Sequence, residues 1–131
     1  MNDLQKIENF FNKGVDLFNE KKFYDAHEEW EEIWSNYYLK DRLFIQGLIQ
    51  VTVSFYHLST NNIKGAKNLM KRAVEKLNQF QPNNSSLHLN IRGINASQFI
   101  SSIKICHEKL ILIDSCNQFD WNLVPKIKKY K

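Results

Sequence analysis

Apolar residues recur at three- and four-residue steps along most of this chain, the spacing of helices that turn one face to a core. The first run, Leu4, Ile7, Phe11, Val15 and Phe18, predicts a helix over residues 3–20, with Glu20-Lys21-Lys22 as the turn after it. A second helix over 23–38 carries the stripe Phe23, Ala26, Trp30, Ile33, Trp34 and Tyr37, and Asp41 stands where it would cap a third. That third helix, 42–60, is apolar almost all round, which predicts a central helix covered by its neighbours. A fourth begins at Asn61 or Asn62, runs to about Phe80, and buries Ile63, Ala66, Leu69, Met70, Ala73, Val74 and Leu77. The polar run of residues 81–86 ends it, an irregular stretch is expected from Leu87 to Asn95, and Asn95 opens a last helix over 96–113. Phe99, Ile103, Cys106, Leu110 and Ile113 face inward there, and an extension with Trp121 follows.

Short links between amphipathic helices make antiparallel neighbours, so the expected fold is all-α: an up-down bundle of about five helices. It is built from helical hairpins like those of tetratricopeptide-type folds, although no clear sequence repeat is present. A chain of 131 residues holds one core, so residues 1–124 are read as a single domain and 125–131 as a basic tail.

Charge changes the picture little. The net charge of +4 is carried by Lys126, Lys128, Lys129 and Lys131 after Pro125, and the residues before them balance to zero. A solvated tail follows from that rather than a basic groove, and nucleic-acid binding is not expected. Cys106 and Cys116 form no C-x-x-C pair, which points to reduced thiols without a zinc or redox motif. With no leader-like start and no long apolar run, a cytoplasmic protein without a membrane contact is expected. The glycines assemble no phosphate loop, nucleophile elbow or dinucleotide fingerprint.

The candidate chemistry lies on the second and third helices. Helical spacing puts His27 and Glu31 at the border of the apolar stripe, and puts Gln46, Gln50, Val53 and His57 along one line of a helix otherwise nearly all apolar. If the chain turns near residues 39–40, position 27 stands opposite about 52 and position 31 opposite about 48. His27 and Glu31 would then face Gln50 and Gln46, with Glu28 beside them.

Three readings stay open. The polar groups close on one another as a structural network that fixes helix register. Alternatively they leave valences open toward a cleft walled by Trp30, Trp34 and Tyr56, which would suit an unknown small molecule or a protein segment. As a third option, His27, Glu31 and His57 hold a metal ion for a hydrolase-type reaction; no cofactor is otherwise implied. Beside these stands a contrast of faces: helix two is acidic (Asp25, Glu28, Glu29, Glu32) and helix four basic (Lys64, Lys67, Lys71, Arg72, Lys76), so an interaction surface or a homodimer is a further option. Gly47 and Gly65, costly inside helices, are expected to allow close contacts, Gly47 with an indole.

The segments FYDAHEEWEEIW (23–34), IQGLIQVTVSFYHL (45–58) and NNIKGAKNLMKRAVEKL (61–77) resemble the bacterial, archaeal and plastid family called domain of unknown function 309. RGIN at 92–95 resembles that family's segment before its last helix, so the likeness extends over about residues 10–112. The resemblance implies a compact all-helical fold with no assigned activity. Its motif positions fall on His27, Glu28, Trp30, Glu31, Trp34, Gln46, Gly47, Gln50, His57 and Gly65, while Val51 and Thr52 stand where small alanine-type residues would be expected.

Overall fold

In the computed structural model, which describes residues 1–81 and 89–130, the predicted periodicity becomes five α-helices. They are α1 (Asp3–Asn19), α2 (Phe23–Asn36), α3 (Arg42–Ser59), α4 (Ile63–Leu77) and α5 (Ala96–Ile111). Consecutive helices α1 to α4 pack side by side as an up-down series, and α5 closes against α4.

Side-chain caps fix several starts. The Asn2 side chain accepts from the Gln5 amide, Asn62 from Gly65 and Asn95 from Gln98, each meeting one of the orphan donors of a first turn. Asp41 takes the N-cap position of α3 as expected, but its side chain makes no cap hydrogen bond. Its carboxylate is taken by both guanidinium donors of Arg92, 51 residues away, in a two-pronged ion pair.

The two helical hairpins turn in the same way. After α1, the Lys22 amide donates to the Leu17 carbonyl at 2.9 Å with Lys21 at φ 62°. After α3, the Asn62 amide donates to the His57 carbonyl at 2.8 Å with Asn61 at φ 64°. Both are six-residue closures around one left-handed residue, which satisfies the last carbonyls of the helix and reverses the chain.

The core runs through the whole series. Phe11, Phe18, Trp30, Phe44, Phe55 and Phe99 are each at most 1% exposed, and Phe18 touches Phe23, Trp30, Phe55 and Phe99 with ring centroids 5.4 to 6.2 Å apart. α3 buries ten of its residues because α2 and α4 both cover it, as its apolar circumference predicts. The indole expected at Gly47 is elsewhere. Trp30 rests on Gly14, where a Cβ would stand 2.6 Å from Cε2 of the ring and closer still to Nε1, whereas a Cβ at Gly47 would stand 2.8 Å from the Leu77 side chain. Gly65 makes room for the Asn62 cap, whose amide nitrogen a Cβ would meet at 2.6 Å.

The stretch before α5 is partly ordered differently from the expectation. Residues 82–88, on which the start of the irregular segment falls, lie outside the described residues. Beyond them β1 (Asn90–Ile91) and β2 (Ile94–Asn95) pair antiparallel around Arg92 and Gly93, both at positive φ. Residues 126–130 are not a free tail. Ile127 is 3% exposed, the Asn19 side chain both donates to its carbonyl and accepts from its amide, and the segment runs beside β2 with an Ile94 to Lys129 bridge. Backbone pairing and one buried isoleucine hold the segment while Lys126, Lys128 and Lys129 stay exposed, the last with its ammonium 3.7 Å from an Asp16 carboxylate oxygen. No helix among the described residues is long and apolar enough to cross a membrane.

Candidate functional site

α2 and α3 meet in the register expected from their link. Phe23 lies against Phe55 at 5.3 Å between ring centroids and Tyr24 against Tyr56 at 5.3 Å, which brackets the predicted pairing of position 27 with about 52. Phe23 turns into the core, while Tyr24, one residue on, sits at the outer edge of the seam.

Along that edge stands His27, half-buried. Its Nδ1 is 2.8 Å from the Tyr24 carbonyl oxygen, which can only accept, so Nδ1 carries a hydrogen and donates it there. The Tyr24 ring packs edge-on to the imidazole with centroids 5.1 Å apart. One turn further, Glu31 accepts from Ser35 at 3.4 Å. Tyr24, His27, Glu28, Glu31, Glu32 and Ser35 together line an open depression of about 380 Å³. The carboxylates of Glu28, Glu31 and Glu32 share it, a setting that receives hydrogen-bond donors and positive charge.

Across the seam, Gln46, Gln50, Val53 and His57 form an incompletely buried stripe of α3, as their spacing predicts. α4 bounds it on the other side. Asn62 donates from Nδ2 to His57 Nδ1 at 3.2 Å while its Oδ1 accepts from Gly65, so a row of contacts crosses the top of the trough: His27, Tyr24, Tyr56, His57, Asn62. Within the seam two polar atoms are buried without a partner, Gln50 Oε1 and Trp34 Nε1. The Trp34 indole is covered by Arg42, whose guanidinium lies 3.9 Å above the ring and donates to the Trp34 carbonyl at 2.8 Å.

The expected residues therefore divide. His27, Glu28 and Glu31 share the depression, Tyr56 reaches its rim through Tyr24, and Gln46, Gln50 and His57 line the adjoining trough. Among the described residues no hydrogen bond joins His27 or Glu31 to the glutamines. Trp30 offers no wall, being fully buried with Nε1 donating to the Phe11 carbonyl at 3.1 Å. No group of three or more His, Cys, Asp or Glu among the described residues is placed to hold a metal ion. Tyr24 and Ser35 belong to the site although the sequence reading passed over them. Both share the helical face of His27 and Glu31, a spacing that would have found them.

Two titratable groups lie elsewhere. Burial pushes the Cys106 thiol up to about 12, and its Sγ donates to the Leu123 carbonyl, which leaves it an inert core thiol. His107 on α5, with Nδ1 buried and unpartnered, is held below the ordinary imidazole value chiefly by desolvation and further by Lys71, against the opposing pull of Glu108 and Glu75.

No curated protein matches the chain. The family model described as Domain of unknown function (DUF309) matches residues 11–69, a span shorter than the resemblance first suggested: the Arg92–Asn95 hairpin and α5 fall outside it. All of α2 and α3, and with them His27, Glu28, Glu31, Gln46, Gln50 and His57, fall inside, so over these residues the chain is similar to that family of unknown function.

Proposed function

We propose that the chain is a cytoplasmic, non-enzymatic binding module whose recognition face is the seam of α2 and α3, with His27, Glu28, Glu31, Gln46, Gln50 and His57 as its polar groups. The observation that carries this reading is the pair of buried, unpartnered atoms on the two helices of the seam, Gln50 Oε1 and Trp34 Nε1. Leaving such an atom unsatisfied costs about 1–3 kcal/mol, a cost that closing the network internally would have removed. Both atoms are closed to the surface, so a bound partner that parts the seam would supply the missing donor and acceptor. The tyrosine pair and the acidic rim favour a partner that brings donors or positive charge.

A thermal-shift screen of small molecules and short basic peptides tests this. At least one compound should raise the melting temperature of the wild-type chain and lose its effect on Gln50→Leu. That variant, freed of an unsatisfied amide, should itself be about 1 kcal/mol more stable. A silent screen against the wild type, alongside a Gln50→Leu that is less stable, would mean that Gln50 is satisfied within the fold and would end the proposal.

A further inference from the structure

The trough has opposite charges on its two sides. α2 carries Asp25, Glu28, Glu29, Glu31 and Glu32 with no Lys or Arg, and α4 carries Lys64, Lys67, Lys71, Arg72 and Lys76 against Glu75 alone. Both helices run antiparallel to α3 and hence parallel to each other, with the half-buried stripe of α3 between them. On the trough side of α2 stand Glu28 and Glu31, which line the depression. The trough side of α4 is marked by Asn62, bonded to His57, and by Lys76, whose Cβ lies 3.8 Å from a side chain built at Gly47; Arg72 is one turn from Lys76 on the same edge.

Such a face is complementary to itself. A two-fold axis lying in the face and parallel to the helices sets α2 of one copy over α4 of the other, twice, and α3 over α3. An axis across the helices sets α2 over α2 and α4 over α4, like charge against like. Electrostatics selects the first arrangement. Fourteen to fifteen residues of helix give a face about 21 Å long. Three helices at their usual spacing make it about 27 Å wide, so two copies would cover roughly 1,100 Å², above the ~1,000 Å² that a specific interface needs. At its centre the half-buried Gln46 and Gln50 of the two copies would stand opposite one another.

We infer that the partner of this face is a second copy of the chain, in an isologous dimer that pairs the acidic α2 of each copy with the basic α4 of the other. This rests on the reading of the seam as a recognition face and names its occupant.

Sedimentation velocity on the full chain, with circular dichroism to confirm helicity, tests it through complementary charge reversal. The wild type should be dimeric and dissociate at high salt. The variants Glu28→Lys/Glu31→Lys and Arg72→Glu/Lys76→Glu should each weaken self-association by about tenfold or more. Mixed one to one, they should recover a heterodimer, because the first now has two basic helices and the second two acidic ones. A wild type that stays monomeric at every attainable concentration overturns the inference, and so does a dimer that both variants leave intact or that mixing does not restore. A monomer that still binds a screened compound in a Gln50-dependent way would overturn the dimer and keep the module.

Discussion

The hairpin α1–α2 and the hairpin α3–α4 are one backbone device filled in two ways. Ile7, Phe11, Gly14, Val15 and Phe18 of α1, all buried, recur forty positions on as the buried Gly47, Val51, Ser54, Phe55 and Leu58 of α3. Ala26, Trp30 and Ile33 of α2 recur likewise as Ala66, Met70 and Ala73 of α4. In the first hairpin a fully buried indole fills the space over a glycine. In the second, Ser54 takes that glycine's place and donates to the Ala66 carbonyl at 2.7 Å. The same helix spacing can thus be held by one large ring or by small residues and a hydroxyl. Only the second solution leaves α3 with two neighbours to satisfy, because α1 ends the series and turns Leu4, Glu8 and Asn9 to water.

Substitutions at matched positions should separate the two solutions. Trp30→Ala should cost about 4 kcal/mol in urea unfolding and Met70→Ala about 3, since the ring both fills more space and donates to Phe11. Equal costs would mean that the hairpins share one packing logic. Gly14→Ala should destabilise by about 1–3 kcal/mol, reversing the usual gain of alanine within a helix, because its Cβ would press on a rigid indole. Ser54→Ala should cost about 1 kcal/mol, the worth of one hydrogen bond. A Gly14→Ala protein as stable as the wild type would show that the indole can shift.

The turns give a smaller contrast of opposite sign. Lysine pays more than asparagine for a left-handed backbone, so Lys21→Gly should stabilise by about 0.5–1 kcal/mol while Asn61→Gly changes little. The smallest effect belongs to the seam of α4 and α5, which has no counterpart in the first hairpin. His107 is depressed in the folded state, so the unfolded chain binds the proton more readily. Stability should therefore hold above pH 6.5 and decline as pH falls below it, and His107→Leu should flatten that decline in thermal melts. An unchanged slope would place the pH dependence elsewhere.

Much of this fold was legible because it is local. Apolar spacing gave five helices, the asparagines before α4 and α5 cap them, and the length of the α2–α3 link set the register. What escaped was fixed over distance or by backbone. The forty-residue repeat survives in burial and in φ angles while its side chains have changed, from Trp30 to Met70 and from Gly14 to Ser54, so no residue pattern betrays it. The Arg92 grip on Asp41 joins segments that nothing local connects. For the site, helical periodicity showed which residues share a face, but not that the nearest acceptor for His27 is the Tyr24 carbonyl one turn back. Nor could it tell that Trp30 would spend its polar atom on α1.

The clasp between Asn19 and Ile127 joins positions 108 apart, and it bears on how the molecule is born. A ribosome delivers α1 and α2 early, and they can coil and meet while the rest is still being read. Yet Asn19 must wait with its amide unspent, and the β-hairpin with an open edge, until residues 127–130 emerge. The nascent protein is a stack of helices before it is a closed one, and the last stitch is sewn only after α1 to α5 have all been delivered.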